Sequence, residues 1–191
     1  MSISESIATF DPPFLASGEV VLRPLFEADA DGPYPSWLND AEVCRYNRHH
    51  AYPYTREMAR EWIRGIPGRG DLVLAVTLAD NGVHVGNVSL QQFDAQARSA
   101  EFAILIGDRG AWGRGLGRTS AELLVAHGFD TLNLHRISCG TTEDNAAMRS
   151  IAEGLGMTRE GVRREAAFHE GHYVDVVEYG LLAHEFRNTR A

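Results

Sequence analysis

SAEFAILIGDRGAWGRGLGRTSAELLVAHGF, residues 99–129, changes its period twice. From Ser99 to Ile106 it alternates, with Ala100, Phe102, Ile104 and Ile106 on one face and Glu101, Ala103 and Leu105 on the other, the pattern of a strand. After Arg118 the apolar residues Ala121, Leu124, Val125 and Phe129 fall at helical spacing. Between the two lies a loop holding Gly110, Gly113, Gly115 and Gly117. Glycine lets the main chain approach a ligand closely, and the start of a helix presents N–H groups that have no intrahelical partner. A strand, a bare loop and a helix start therefore make an anion-binding geometry suited to phosphate.

The spacing excludes two familiar phosphate loops. A dinucleotide G-x-G-x-x-G beginning at Gly113 needs glycine where Arg118 stands, and a P-loop beginning at Gly110 needs Lys-Ser/Thr where the chain has Leu116-Gly117. The segment instead resembles the acyl-coenzyme A loop of the GNAT acetyltransferases, Gln/Arg-x-x-Gly-x-Gly/Ala, through Gly115 and Gly117. Trp112 replaces its first residue, as in the W-G-[KR]-G-x-[AG] variant of the RimJ/RimL-type branch. The resemblance implies acetyl-CoA as co-substrate, with its pyrophosphate on main-chain N–H groups from Gly113 to Arg118. The implied coenzyme contacts are Ile104, Leu105 and Ile106 on the strand, then Trp112, Gly113, Arg114, Gly115, Leu116, Gly117 and Arg118 in the loop, with Asn145 further on. A main-chain N–H near Leu105 or Ile106, at a bulge in the strand, is expected to polarise the thioester carbonyl.

Composition sets the class. The 191 residues, 44% of them hydrophobic, suit one domain with a real core. No apolar run approaches the ~20 residues that span a bilayer, and MSISESIATF lacks the form of a signal peptide, so a cytoplasmic protein without a membrane partner is expected. The formal net charge of −8 argues against a nucleic-acid partner. Cys44 and Cys139 are too far apart for a C-x-x-C motif, and Cys139 in RISCG reads as a small buried hydrophobe.

Strands are expected in EVVLRPL, DLVLAVTL, VHVGNVSLQQF, SAEFAILI and HRISCGT, with two more flanking HEGH. Helices are expected in YTREMAREWIRGI behind an N-cap at Thr55, after the glycine loop, and from Asn145 to Leu155. Two short helices broken near Pro33 and Pro35 are expected in FEADADGPYPSWLNDAEVCRYN. This order indicates an α+β (mixed α/β) layer fold, and the resemblance implies a GNAT-like central twisted sheet, mostly antiparallel, of about seven strands flanked by about four helices. The expected limits are a loosely held lead-in over residues 1–16, one domain over 17–185 and a tail over 186–191.

Glu101, on the strand before the loop, matches the family's [AG]-E-[IF]-[GA] and is the candidate catalytic residue, a base for an incoming amine. Burial among apolar neighbours would raise its pKa towards neutrality. TTEDNAAMRSIAEGLGM also resembles a family segment, with Asn145 in register. Where many members keep a thiolate-protonating tyrosine or a serine, however, this chain has Ala152 and Met148. WLNDAEVCRY resembles the segment that walls the acceptor site in the RimJ/RimL-type branch, which makes Trp37 a candidate substrate contact, and His50 at the end of NRHH with the nearby Tyr54 is expected to line a substrate mouth. HEGH is one residue short of H-E-x-x-H and reads as a hairpin turn, so no metal is expected.

The expected activity is acetyl transfer from acetyl-CoA to the primary amine of a small molecule, with an amino sugar, nucleotide-linked forms included, as the leading acceptor. A protein N-terminal α-amine and a non-catalytic acyl-CoA sensor are the alternatives. Oligomeric state, a homodimer included, is not legible.

Overall fold

The computed structural model describes residues 13–47 and 49–188. Eight strands form one sheet: β1 (Leu15–Ser17), β2 (Val20–Pro24), β3 (Leu72–Leu78), β4 (His84–Asp94), β5 (Ser99–Ile106), β6 (Arg136–Thr142), β7 (Thr158–His169) and β8 (His172–Leu182). Their spatial order is β1-β2-β3-β4-β5-β6-β8-β7. Every neighbouring pair is antiparallel except β5 and β6. Those two are joined by a helix, and a helical crossover returns the chain in the same direction.

The helices are α1 (Tyr34–Trp37), α2 (Arg56–Arg69), α3 (Leu116–Asp130), α4 (Ala146–Gly154) and α5 (Ala183–Asn188). Both faces of the sheet are covered. On one, Leu22, Leu74, Val88 and Phe102 join Leu124 and Phe129 of α3; on the other, Val73 and Ala75 pack with Trp37 and Ile63. This two-sided burial explains why β3 reads as the continuous apolar run LVLAV rather than as an alternation.

The count exceeds the expected seven strands and four helices because short elements at each end join the core. β1 begins at Leu15, inside the stretch expected to be a lead-in, and Phe14 sets its ring edge-on to His127 at 5.0 Å. The expected tail is corrected in the same way: Phe186 of α5 is buried and stacks on Phe129 at 4.8 Å. Residues 189–191 of the tail and residues 1–12 lie outside the described residues.

The segment from Phe26 to Asn47 departs furthest from its helical reading. It holds a 3-10 turn (Glu27–Asp31), the single four-residue α1, and then turns. Side chains take over the main-chain hydrogen bonds there. Asp40 Oδ1 accepts from the N–H groups of Glu42 and Val43, while Asn39 donates to the carbonyls of Pro35 and Tyr54 and accepts from the N–H of Tyr54. The HEGH turn forms as expected. His169 pairs with His172, and Glu170 and Gly171 both take positive φ (47° and 86°), as a two-residue hairpin of this hand requires.

Candidate active site

The geometry follows from where β5 and β6 stop pairing. Their parallel register runs only through Ser99↔Arg136, Ala100↔Ile137 and Glu101↔Ser138, yet β5 continues to Ile106 and β6 to Thr142. The sheet therefore splays beyond Glu101. Main-chain parity shows which groups face the opening. Arg98 O accepts from His135 and Arg136 on the β6 side, whereas the N–H of Gly107 donates to Val85 O on the β4 side. Alternation then turns the main-chain groups of Phe102, Ile104 and Ile106 towards the splay and those of Ala103 and Leu105 towards β4. Leu105 is thus corrected as a donor of the polarising N–H. The expected bulge is also displaced: β5 is regular from Phe102 to Ile106, and the register shift lies in β4 between Gln91 and Asp94.

Above the splay sits the glycine loop. Gly113 and Gly115 hold φ of +73° and +78°, with open space where a Cβ would stand. Gly115 is the N-cap of α3, and no side chain caps the helix, so its first N–H groups stay available. Gly117, one turn in, has ordinary φ and would accept a Cβ 3.5 Å from Ile106 and Ile151. The half-exposed Trp112 donates its indole N–H to Ile106 O at 2.8 Å, closing off the last carbonyl of β5. Leu116 is buried, Arg114 pairs with Glu19 and Arg118 with Glu122. Asn145 caps α4, accepting from the N–H of Met148, and its amide donates to Thr141.

On the sheet face that carries Glu101 lies a cavity of about 350 Å³. Its floor is β6 from Ser138 to Thr142 with Val176 and Glu178 of β8, and its walls are Arg45–Asn47 and residues 166–169 of β7. Glu101 is half-buried at one end, where Gln92 donates to its Oε2 at 2.7 Å. Gln92 occupies the β4 irregularity with φ +53°, a left-handed conformation that a side chain rarely takes, so the backbone is strained at the residue that holds the carboxylate. Burial, then the like charge of Glu178, push the Glu101 pKa up, and Arg163 pulls against them. Arg163 itself bonds Glu178 at 2.5 Å. Cys139 is buried under the same carboxylates, and burial with their two charges pushes its thiol up to about 12, which excludes it as a nucleophile at neutral pH.

The expected substrate contacts lie outside this cavity. Trp37 is buried at 6% exposure; a Cβ on Gly107 would collide with its ring, and the indole stands edge-on to His84. It is packed under the end of β5 and does not line the cavity. Tyr54 packs on Tyr34, and His50 is exposed in a 3-10 turn; neither lines the cavity. The same WLNDAEVCRYN segment does reach it, through Arg45, Tyr46 and Asn47, because turns rather than a helix carry residues 40–47 outward. The sequence reading also passed over Gln92, Arg163, His169 and Glu178. Only a register linking β4, β8 and the hairpin to β5 brings Gln92, Arg163 and Glu178 beside Glu101 and His169 to the same cavity, and no local motif marks that.

Among the described residues no His, Cys, Asp and Glu cluster is placed to hold a metal, and no helix is long and apolar enough to cross a membrane. A family model described as acetyltransferase (GNAT) domain matches residues 19–158. The N-acetyltransferase p20 of Bacillus licheniformis is 27% identical over 180 residues, covering 90% of this chain and 97% of that protein. The spermidine N(1)-acetyltransferase of Escherichia coli K12 is 28% identical over 168 residues, 87% of this chain and 88% of its own. The crystal structure of spermidine N-acetyltransferase from Vibrio cholerae in complex with CoA and spermine superposes with a TM-score of 0.80 at 26% identity, over 90% of this chain and 100% of that one. A family match over most of the chain, relatives along nearly its full length and a sheet splayed beside an uncapped, glycine-started helix agree: this protein belongs to the GNAT acetyltransferases.

Proposed function

We propose that the protein transfers an acetyl group from acetyl-CoA to a small primary amine, with Glu101 as the base. The observation that carries this reading is the position of Glu101. It is the last β5 residue paired to β6, so its carboxylate lines the cavity while the splay opens directly beyond it.

The loop fits the coenzyme. The N–H groups from Gly113 to Arg118 would hold the pyrophosphate, and the partnerless edge of β5 would run beside the pantetheine arm. The N–H of Ile104 or Ile106 would then polarise the thioester carbonyl. Asn145 contributes by fixing the start of α4, since its side chain is committed to the cap and to Thr141.

An aliphatic amine enters as an ammonium ion, which the carboxylate of Glu101 favours, Glu178 being paired to Arg163. Glu101 takes a proton and frees the nitrogen lone pair. The C–N bond forms, the C–S bond breaks, and the coenzyme leaves as a thiolate, while the second proton shed by the nitrogen passes through water to that thiolate. The two α4 positions where other members keep a donor supply no proton. Met148 and Ala152 have none to give, and the nearby Tyr179 is buried with its hydroxyl donating to Glu153.

The acceptor reading moves away from an amino sugar. Relatives whose names state an acceptor are named for spermidine or for ribosomal protein, and the Glu101 carboxylate facing the cavity suits a cationic amine better than a polyhydroxylated one. The test is thiol release from acetyl-CoA with a panel of alkyl amines, polyamines, amino sugars and peptides. Glu101→Gln should lower kcat by ~10²-fold, as loss of a general base does. The rate should rise with pH as Glu101 ionises. Glu178→Gln removes a like charge, lowers the Glu101 pKa and so moves that acid limb to lower pH. A Glu101→Gln loss below about threefold across the profile would make the residue structural.

A further inference from the structure

The β7–β8 hairpin sets His169 at the far end of the cavity, and nothing in the acetyl-transfer reading uses it. The residue is 9% exposed and lines the cavity. Its Nδ1 lies 2.8 Å from Asp144 Oδ2. Burial alone would raise Asp144, but the neighbouring Thr142 hydroxyl and the hydrogen bond from His169 outweigh it and hold the carboxyl below its ordinary range. Asp144 is therefore an anion that can only accept, and Nδ1 carries the proton. In the neutral ring, Nε2 is then a lone pair. That nitrogen is buried without a hydrogen-bond partner among the described residues. Glu170 Oε1 lies 3.9 Å from it, too far for a hydrogen bond, and is paired to Arg45 at 2.9 Å. An unpartnered buried acceptor on a residue that lines a cavity calls for a donor.

We propose that His169, oriented by Asp144, is the acceptor-specificity contact: its Nε2 accepts a hydrogen bond from an N–H or O–H group that the substrate carries at the end remote from the amine reacting at Glu101. The register sets the span. Glu101 sits beside Ser138, and four residues of β6, at ~3.3 Å each, lead to Thr142 before the chain turns to Asp144. The two contacts are therefore on the order of 10 Å apart, and the acceptor is a linear amine with a second donor, not a compact one. The proposal rests on the acetyl-transfer reading for its first contact only.

The probes are 1,8-diaminooctane, 8-aminooctan-1-ol and octylamine, which share length and reactive amine and differ at the far end. In the full chain labelled with 15N, the His169 Nε2 resonance should move with the diamine and the amino alcohol and stay in place with octylamine. His169→Phe should raise KM for the two donor-bearing acceptors about tenfold more than for octylamine, the effect of one lost hydrogen bond. Asp144→Asn lets the ring carry its proton on Nε2 instead and should erase the preference. An Nε2 signal unmoved by all three probes overturns the proposal. So does a response to the diamine alone, which would assign the contact to the Glu170 charge, or an equal loss of kcat with all three in His169→Phe, which would make the ring a proton carrier. If no amine is acetylated by the wild-type protein and Nε2 still responds, the acetyl-transfer reading fails and the contact stands.

Discussion

Gly115 and Gly117 look alike in the chain and differ in what they do. Gly115 must be glycine for the backbone alone, because its φ of +78° costs a side-chain-bearing residue roughly 1–2 kcal/mol. Gly117 has ordinary φ and room for a methyl group within the first turn of α3, where alanine is the better helix former. Gly115→Ala should therefore lower stability by about 1 kcal/mol, and Gly117→Ala should leave it unchanged or raise it slightly. If the loop binds the pyrophosphate, Gly117→Ala should still weaken acetyl-CoA binding, since the methyl group projects between Ile104, Ile106 and Ile151, beside the β5 edge where the pantetheine arm would run. Calorimetry beside thermal unfolding separates the two, and unchanged affinity in a well-folded Gly117→Ala would remove the loop from the binding site. The sequence named this loop because its signal is local. It did not single out Gln92 or Glu178 beside Glu101, because contacts across strands leave no local spacing to read.

At the scale of elements, a buried polar tie joins β2 to the turn after it. Arg23 reaches Asp29 through two hydrogen bonds of 2.8 and 2.7 Å, with both side chains about nine-tenths buried. The N–H of Phe26 donates to the same carboxylate. Burial pushes the Asp29 pKa up, but Arg23 and that N–H outweigh it, so the folded value lies below the ordinary one. The stability this contributes is fully present above the unfolded pKa near ~3.9 and is lost as pH falls through the folded value. Asp29→Asn leaves Arg23 charged and buried without its partner, and should cost about 3 kcal/mol at neutral pH. It should also flatten the acid side of the stability profile. Urea unfolding from pH 7 down to pH 3 checks both, and a loss under about 0.5 kcal/mol would show that water replaces the carboxylate freely. Nothing in FEADADGPYPSW announces this tie, since its partner lies on a strand before the segment.

For the whole molecule, the splay between β5 and β6 makes a binding edge out of a sheet that is otherwise continuous. Each strand of a closed ladder has its N–H groups taken; here Ile104 and Ile106 face an opening instead. Their amide protons should exchange faster with solvent water than those of Ala103 and Leu105, which are held by β4, although all four sit in one strand. Acetyl-CoA should then slow Ile104 and Ile106 selectively. Hydrogen exchange followed residue by residue with and without the coenzyme reads this directly, and equal protection across residues 103–106 in the free protein would mean that the strands do not part.

The strand, the glycine loop and the helix after it were legible in residues 99–129, because period and glycine placement are properties of neighbouring residues. From them followed the fold class, the family resemblance and Glu101 as the candidate base. The short end elements were not legible, since Leu15–Ser17 and Ala183–Asn188 owe their structure to the surfaces they cover. Nor was the lining of the cavity. Trp37 carried the stronger motif, yet it is packed beneath Gly107, while Tyr46 and His169 meet from opposite sides with ring centroids 5.5 Å apart. Chain order sets what a residue can be locally. Which residues share a cavity depends on strand register and on where β5 and β6 diverge, and both come from how the two faces of the sheet are packed.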